Sequence, residues 1–212
     1  MPLGSQPGHV HVVDDDPQFR GAVVRLLAAA GIPAEEWDSG TAFLRQASFA
    51  PPACVLLDLD LPGASGLEVQ AELRRRGLDL PVVFLTAHGG ISSAVQAMKE
   101  GALDFLEKPA APEQLLAAVG GALRRSRERA EAEARREGLA RRLGSLTPRE
   151  LEVLRLLAAG ATDEAGAAAL GLSEDAVKIH RLRVMEKMAA GSLAELAQMA
   201  MALGLVAPRA WG

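Results

Sequence analysis

Hydrophobic residues recur in two rhythms along this chain. Up to about residue 123, short apolar runs alternate with stretches in which apolar residues fall every three or four positions. The short runs lie near residues 9–13, 32–37, 53–58, 81–86 and 103–107 and read as β-strands. The stretches near 17–30, 39–48, 65–76, 91–99 and 112–123 read as helices. Each strand reaches the next through a helix. That predicts an α/β domain with a five-stranded, parallel, doubly wound sheet and right-handed crossovers. Gly31, Gly77 and Gly101 stand just past helices, where a left-handed C-cap residue is wanted.

The pattern then changes. Residues 124–142, RRSRERAEAEARREGLARR, carry almost no apolar stripe. They read as a solvated helix extending the fifth one, with a weak coiled-coil seam through Leu116, Leu123 and Ala130 as the alternative. From Thr147 onward only helical periodicity remains. Thr147 and Glu150 form a capping box with Pro148 at the first helical position, opening a helix that runs to Ala159. A short helical pattern over Asp163–Leu170 and a longer one over Glu174–Ala189 follow, joined by Gly171-Leu172-Ser173. Ser192 and Glu195 predict a second capping box, opening a helix to about Leu203. Two helices joined by a short glycine-containing turn make a helix-turn-helix. The organisation is therefore an α/β domain over 8–123, a basic helical linker over 124–144 and an all-α four-helix domain over 145–209.

Four of the apolar runs end on a polar residue. Val12-Val13 leads into Asp14-Asp15-Asp16, Val55–Leu57 into Asp58, Val82–Leu85 into Thr86, and Leu103–Leu106 past Glu107 into Lys108-Pro109. In an open parallel sheet, ligands sit at the carboxyl ends of the strands. Carboxylates, a hydroxyl and an ammonium should therefore converge on one edge, a set suited to a divalent cation and a phosphoryl group.

Composition sharpens this picture in three places. Only 3% of residues are aromatic against 49% hydrophobic, so the core must be built from Leu, Val and Ala. The single cysteine, Cys54, lies in an apolar strand; it excludes an intramolecular disulfide and fits a reducing, cytoplasmic setting. No run approaches the ~18 apolar residues of a membrane span, and the opening MPLGSQPG lacks a signal peptide's apolar core. Charge is uneven: net −7 over residues 1–123, +4 over 124–142 and −1 over 143–212. An acidic first domain suits cation binding, whereas the near-neutral last segment does not advertise nucleic acid.

The elements VVDDDP, LLDLDLPGASG, FLTAHG and DFLEKP resemble, in order and spacing, the receiver domain of two-component response regulators. The resemblance implies a flavodoxin-like fold and assigns roles by position. Asp58 would be the phosphoacceptor, attacking the phosphorus of a phosphohistidine on a sensor histidine kinase. Asp14, Asp15, Asp58 and the backbone carbonyl of Asp60 would hold Mg²⁺ (or Mn²⁺), a hard cation that takes oxygen ligands. Lys108 would contact a phosphoryl oxygen as a point charge and Thr86 would hydrogen-bond another. Phe105 stands at the family's aromatic switch position, beside a face through which the family dimerises. The Lys108-Pro109 bond matches a junction that is commonly cis. Local structure offers plainer roles for some neighbours. Asp16 before Pro17 reads as a helix N-cap, and His88 reads as a loop residue. His9 and His11 lie far in sequence from other ligands and suggest no metal site.

The segments LTPRELEVLRLLAAG, GLSEDAVKIHRLRVMEKM and SLAELAQMA resemble the LuxR-type helix-turn-helix of the NarL/FixJ regulators. The resemblance implies that the third helix of this domain enters the DNA major groove, with Lys178, Ile179, Arg181, Leu182 and Arg183 near the DNA. Val177, Val184 and Met188 fall at helical spacing and read as core. The chain departs from the family in its acids: Asp163-Glu164 replace a usual Asn-Lys pair, Glu174-Asp175 are added, and Ala176 stands where Thr is common. Each such change weakens phosphate contact.

Two readings follow. The first is a phosphorylation-controlled transcriptional regulator, not an enzyme in the usual sense, with a histidine kinase, promoter DNA, RNA polymerase and a second copy of itself as partners and no membrane. The second is a phosphorylation-dependent interaction protein whose helix-turn-helix binds DNA weakly or not at all.

Overall fold

A computed structural model describes residues 8–87 and 91–206, without the side chains of Ile91 and Ser92. His88 lies outside the described residues. The strands are β1 (His9–Val13), β2 (Ala34–Trp37), β3 (Ala53–Asp58), β4 (Val82–Thr86) and β5 (Asp104–Glu107). The helices of the first part are α1 (Pro17–Ala29), α2 (Gly40–Gln46), α3 (Gly66–Arg75) and α4 (Ile91–Lys99). Next comes α5 (Pro112–Gly144), then α6 (Pro148–Ala158), α7 (Asp163–Leu170), α8 (Glu174–Met188) and α9 (Leu193–Ala202). The chain divides into two compact units, residues 1–131 and 132–212.

In the first unit all strand pairs are parallel and the order is β2-β1-β3-β4-β5. Strand direction out of β1 and β3 therefore reverses the winding between them, and a ligand crevice opens at their carboxyl ends. Successive side chains of a strand point to opposite faces, so the central strands feed two cores. Val10, Val12, Cys54, Leu56, Val83 and Leu85 pack with α1 and α5 on one face. Val13, Val55, Leu57, Val82 and Phe84 pack with Phe43, Val69 and Leu73 on the other. Cys54 is filler: it is fully buried and burial pushes its thiol up to about 12.

Local signals set most boundaries. Asp16 caps α1, accepting from the amides of Gln18 and Phe19, with Pro17 in the first turn. Gly31, Gly77 and Gly101 all have positive φ after their helices. Strand β2 begins two residues later than its apolar run, because the Ile32 amide is taken by the Leu27 carbonyl at the end of α1. Helix α5 continues without a break through the basic segment. Its residue Ser126 is still buried and accepts from the Ala53 amide at 3.0 Å, and Arg129 pairs with Asp79. Leu116 and Leu123 of the conjectured seam pack into the first unit's core.

The expectation that His9 and His11 have no ligating neighbour fails. Parallel pairing sets His11 opposite Glu35, and a Glu35 carboxylate oxygen lies 3.6 Å from a ring nitrogen of each histidine. Sequence distance hid what strand register brings together.

In the second unit Val153, Leu154, Leu157, Val184, Met188 and Leu196 form the core, and Val177 is buried as well. Thr147–Glu150 is a complete capping box. Gly171, with φ 63°, is the left-handed C-cap between α7 and α8. At α9 the expected box is half made. Ser192 accepts from the Glu195 amide, but the Glu195 carboxylate reaches the Gly191 amide instead. The Ser192 backbone is extended, with φ −151°.

Candidate functional site

The apolar runs of β1 and β3 end together, so Asp14 and Asp58 meet at the crevice. Both are buried, at 1% and 6% exposure. Asp15, two residues past the end of β1, is exposed, and one carboxylate oxygen from each of Asp14, Asp15 and Asp58 lies within 4.8 Å of the others. From the end of β5, Lys108 reaches in. Its Nζ donates to Asp14 Oδ2 at 2.5 Å and to Asp58 Oδ2 at 2.7 Å. The peptide bond from Lys108 to Pro109 is cis, and the Lys108 amide donates to the Thr86 carbonyl at 2.8 Å. Thr86 is buried at the end of β4. Asp60 is exposed, and its amide donates to Asp58 Oδ1 at 3.3 Å.

One ammonium thus serves two buried carboxylates. Burial raises the Asp14 carboxyl above its ordinary range, and the Lys108 hydrogen bond only partly offsets this. For Lys108, burial disfavours the charge, but the hydrogen bonds to Asp14 and Asp58 outweigh it and hold the ammonium up. The cluster is short of positive charge while its outer side, at Asp15 and Asp60, is open. Three carboxylates converging on one point suit a hard divalent cation.

Sequence reasoning missed several supports. Arg20 donates to the Asp14 carbonyl at 2.6 Å, and the Phe19 ring lies 4.4 Å from the Lys108 ammonium. Ser65 and Glu68 form a capping box on α3, readable from their i, i+3 spacing. Gly66 lets α3 start against β3: a β-carbon there would come within 2.3 Å of the Asp58 carbonyl oxygen. Phe105 is half-buried, its ring 6.2 Å from that of Phe84, which lies two residues before Thr86 on the same strand face.

In the second unit, Lys178, Ile179, Leu182 and Arg183 are exposed on α8, Ile179 and Leu182 at 52% and 66%. Arg181 is half-buried and points elsewhere. Its guanidinium lies 3.3 Å from Asp163 at the start of α7, and Lys178 lies 3.5 Å from Asp175. Two of the acids that depart from the family pattern therefore face two of the expected DNA cations.

A flavodoxin-like sheet with an acidic pair, a central aspartate, a threonine and a lysine at its carboxyl edge defines a receiver domain. Residues 10–120 match the response regulator receiver domain model, and residues 144–200 match the bacterial regulatory proteins, luxR family. The chain belongs to the two-component response regulators of the NarL/FixJ type, transcriptional regulators rather than enzymes. It is 41% identical to nodulation protein W of Bradyrhizobium diazoefficiens, over 93% of this chain and 87% of that one. It is 41% identical to the transcriptional regulatory protein FixJ of Azorhizobium caulinodans, over 94% of each. With the tetrathionate response regulatory protein TtrR of Salmonella typhimurium the identity is 43%, over 88% and 89%. Among solved structures, response regulator StyR superposes with a TM-score of 0.85 at 38% identity, covering 92% of this chain and 99% of that one. Full-length FixJ from B. japonicum gives 0.58 at 36% identity, covering 96% and 100%. Among the described residues, no helix is long and apolar enough to cross a membrane.

Proposed function

We propose that Asp58 accepts a phosphoryl group from a sensor histidine kinase and that this controls dimerisation and promoter binding. The observation that carries the reading is the Asp14–Lys108–Asp58 cluster: two buried carboxylates on one ammonium, beside the open Asp15 carboxylate. An Asp58 oxygen forms a bond to phosphorus, the phosphorus–nitrogen bond of the phosphohistidine breaks, and the imidazole leaves with a proton. Asp14, Asp15, Asp58 and the Asp60 carbonyl would hold Mg²⁺ (or Mn²⁺), and the cation would neutralise charge on the transferring group. Lys108 then exchanges its carboxylate partners for a phosphoryl oxygen. Thr86 turns toward another, and Phe105 moves into the space beside β4.

The surface this remodels is α4, β5 and α5. Val95 and Met98 of α4 are already 46% and 47% exposed, which supports a homodimer contact there. In the dimer, α8 would enter the major groove with Lys178, Ile179, Leu182 and Arg183, and Arg181 would hold phosphate once released from Asp163. RNA polymerase and a cytoplasmic setting belong to the same reading. A second reading rests on the Arg181–Asp163 and Lys178–Asp175 contacts: with its cations held by its own acids, the helical unit serves protein contacts instead.

Intact mass after incubation with a small phosphodonor and Mg²⁺ tests the first step. One acid-labile phosphate is expected, and none in Asp58→Asn. Full uptake by Asp58→Asn would overturn the assignment.

A further inference from the structure

Away from the phosphoacceptor crevice, at the start of the sheet and near its edge, His9, His11 and Glu35 share one face of β1 and β2. Parallel pairing puts His11 opposite Glu35, and the two-residue strand period puts His9 beside them. The Glu35 oxygen is 3.6 Å from His9 Nε2 and 3.6 Å from His11 Nδ1, and one ligand atom from each residue lies within 4.8 Å of the others. Metal–nitrogen and metal–oxygen bonds of about 2.0–2.2 Å in a tetrahedral site place ligand atoms roughly 3.3–3.5 Å apart. The carboxylate is thus already near ligating distance of both rings.

The inner histidine is oriented as ligands are. His11 is fully buried, and its Nε2 lies 3.1 Å from the Ser48 carbonyl, which can only accept. Nε2 therefore carries the proton, and Nδ1, 3.6 Å from the Glu35 carboxylate oxygen, is left as the ligating nitrogen. A backbone carbonyl behind the distal ring nitrogen is the usual outer-shell support of a metal-bound histidine. The Nδ1 lone pair is occupied weakly, by the Trp37 indole N–H at 3.3 Å. An ion would displace that contact. His9 and Glu35 are 38% and 48% exposed, leaving an open side for water as a fourth ligand.

We propose that His9, His11 and Glu35 form a second metal site, for a borderline transition-metal dication of the Zn²⁺ class, bracing β1 against the edge strand β2. Two imidazoles and one carboxylate favour Zn²⁺, Co²⁺, Ni²⁺ or Cu²⁺ over Mg²⁺, which prefers oxygen ligands. The two sites therefore select different ions. They are joined along β1, and the Asp14 amide donates to the carbonyl of Trp37, the residue two beyond Glu35.

The test is calorimetry of the full-length chain with Zn²⁺ in excess Mg²⁺, which keeps the aspartate cluster occupied. One equivalent is expected to bind. His9→Gln and Glu35→Gln should each weaken it by about tenfold or more, and both positions are exposed enough to substitute without opening the core. In a Trp211→Phe background, Cu²⁺ should quench Trp37, and neither variant should be quenched at the same ion concentration. Absence of Zn²⁺ binding under excess Mg²⁺, or binding that both variants retain unchanged, would overturn the site.

Discussion

Both units bury a carboxylate against a lysine, and the two arrangements are built for opposite ends. In the receiver, Lys108 divides itself between Asp14 and Asp58, and burial leaves the Asp14 carboxyl raised. In the helical unit, Glu150 is 2% exposed, yet its Oε2 accepts from Lys187 at 2.7 Å and from the Thr147 amide at 2.8 Å. Lys187 and then the Thr147 amide hold that carboxyl down to about 2. Lys187 also donates to the Ser145 carbonyl at 3.1 Å. One cluster has an excess of negative charge and an open side; the other is closed and satisfied. A buried ion pair is therefore not a site by virtue of burial. What marks the receiver cluster is unmet electrostatic demand that an incoming cation or phosphoryl group changes.

The largest effect should come from stranding the two receiver carboxylates. Lys108→Met leaves Asp14 and Asp58 buried side by side without a cation. Removing one partner of a buried charge pair costs about 3–5 kcal/mol. Urea unfolding without divalent ions should show a loss of this order, and saturating Mg²⁺ should recover part of it by binding only the folded state. The converse substitution, Asp58→Asn, removes one of two repelling acids. It should leave the receiver as stable as before, or more so, while abolishing phosphate uptake. A large destabilisation by Asp58→Asn that Mg²⁺ does not alter would make the cluster a structural pair like Glu150–Lys187, and the contrast would collapse.

How much of this was legible in the sequence depended on whether the decisive contact was local. Val55–Leu57 before Asp58 and Val12-Val13 before Asp14 announce strand ends, because an apolar run that stops at a carboxylate has only one sensible place in a parallel sheet. Asp16-Pro17 and Thr147-Pro148-Arg149-Glu150 announce helix starts, because capping is settled within four residues. Strand ends alone brought Lys108 to the same edge as the carboxylates, but its direct bond to Asp14, 94 residues away, was not readable, and the family pattern assigned it a phosphoryl oxygen instead. Glu35 beside His9 and His11, Lys187 on Glu150 and Arg181 on Asp163 left no such trace. Each depends on strand register or helix packing, which residue type alone does not determine. Gly66 was unreadable for another reason: its need for a missing side chain arises from the approach of α3 to the Asp58 carbonyl.

Acid should separate the two carboxylates next. The Glu150 carboxyl is lowered on folding from an ordinary value of 4.5 to about 2. The unfolded chain therefore takes up its proton first as pH falls. The stabilisation is fully present above about pH 4.5 and is lost as pH falls toward about 2. Wild type should melt above Glu150→Gln near neutrality, and the gap should close through that window. The Met188 methyl resonance reports the helical unit and the Trp37 indole reports the receiver, so the loss can be placed in the right unit. A gap that persists at low pH would mean the substitution acts through packing and not through the charge.

The smallest effects belong to the surface pairs on α7 and α8, one half-buried and one exposed, and there the comparison turns from stability to function. Arg181–Asp163 and Lys178–Asp175 span 3.3 Å and 3.5 Å, and all four side chains keep access to solvent. Pairs of this kind contribute about 0–1 kcal/mol to folding, so Asp163→Asn with Asp175→Asn should shift the melting temperature little. DNA affinity should respond more. The double variant removes two acids near the phosphate backbone and frees two cations for it. Each phosphate newly neutralised steepens the slope of log K against log salt by about 0.9. Two freed cations should therefore steepen it by nearly two units, with tighter binding to specific and non-specific duplexes alike, because phosphates carry no sequence information. The measurement is a salt titration of the beryllofluoride-treated protein on a labelled duplex. An unchanged slope means that α8 does not face the backbone, and the helical unit then recognises a protein instead.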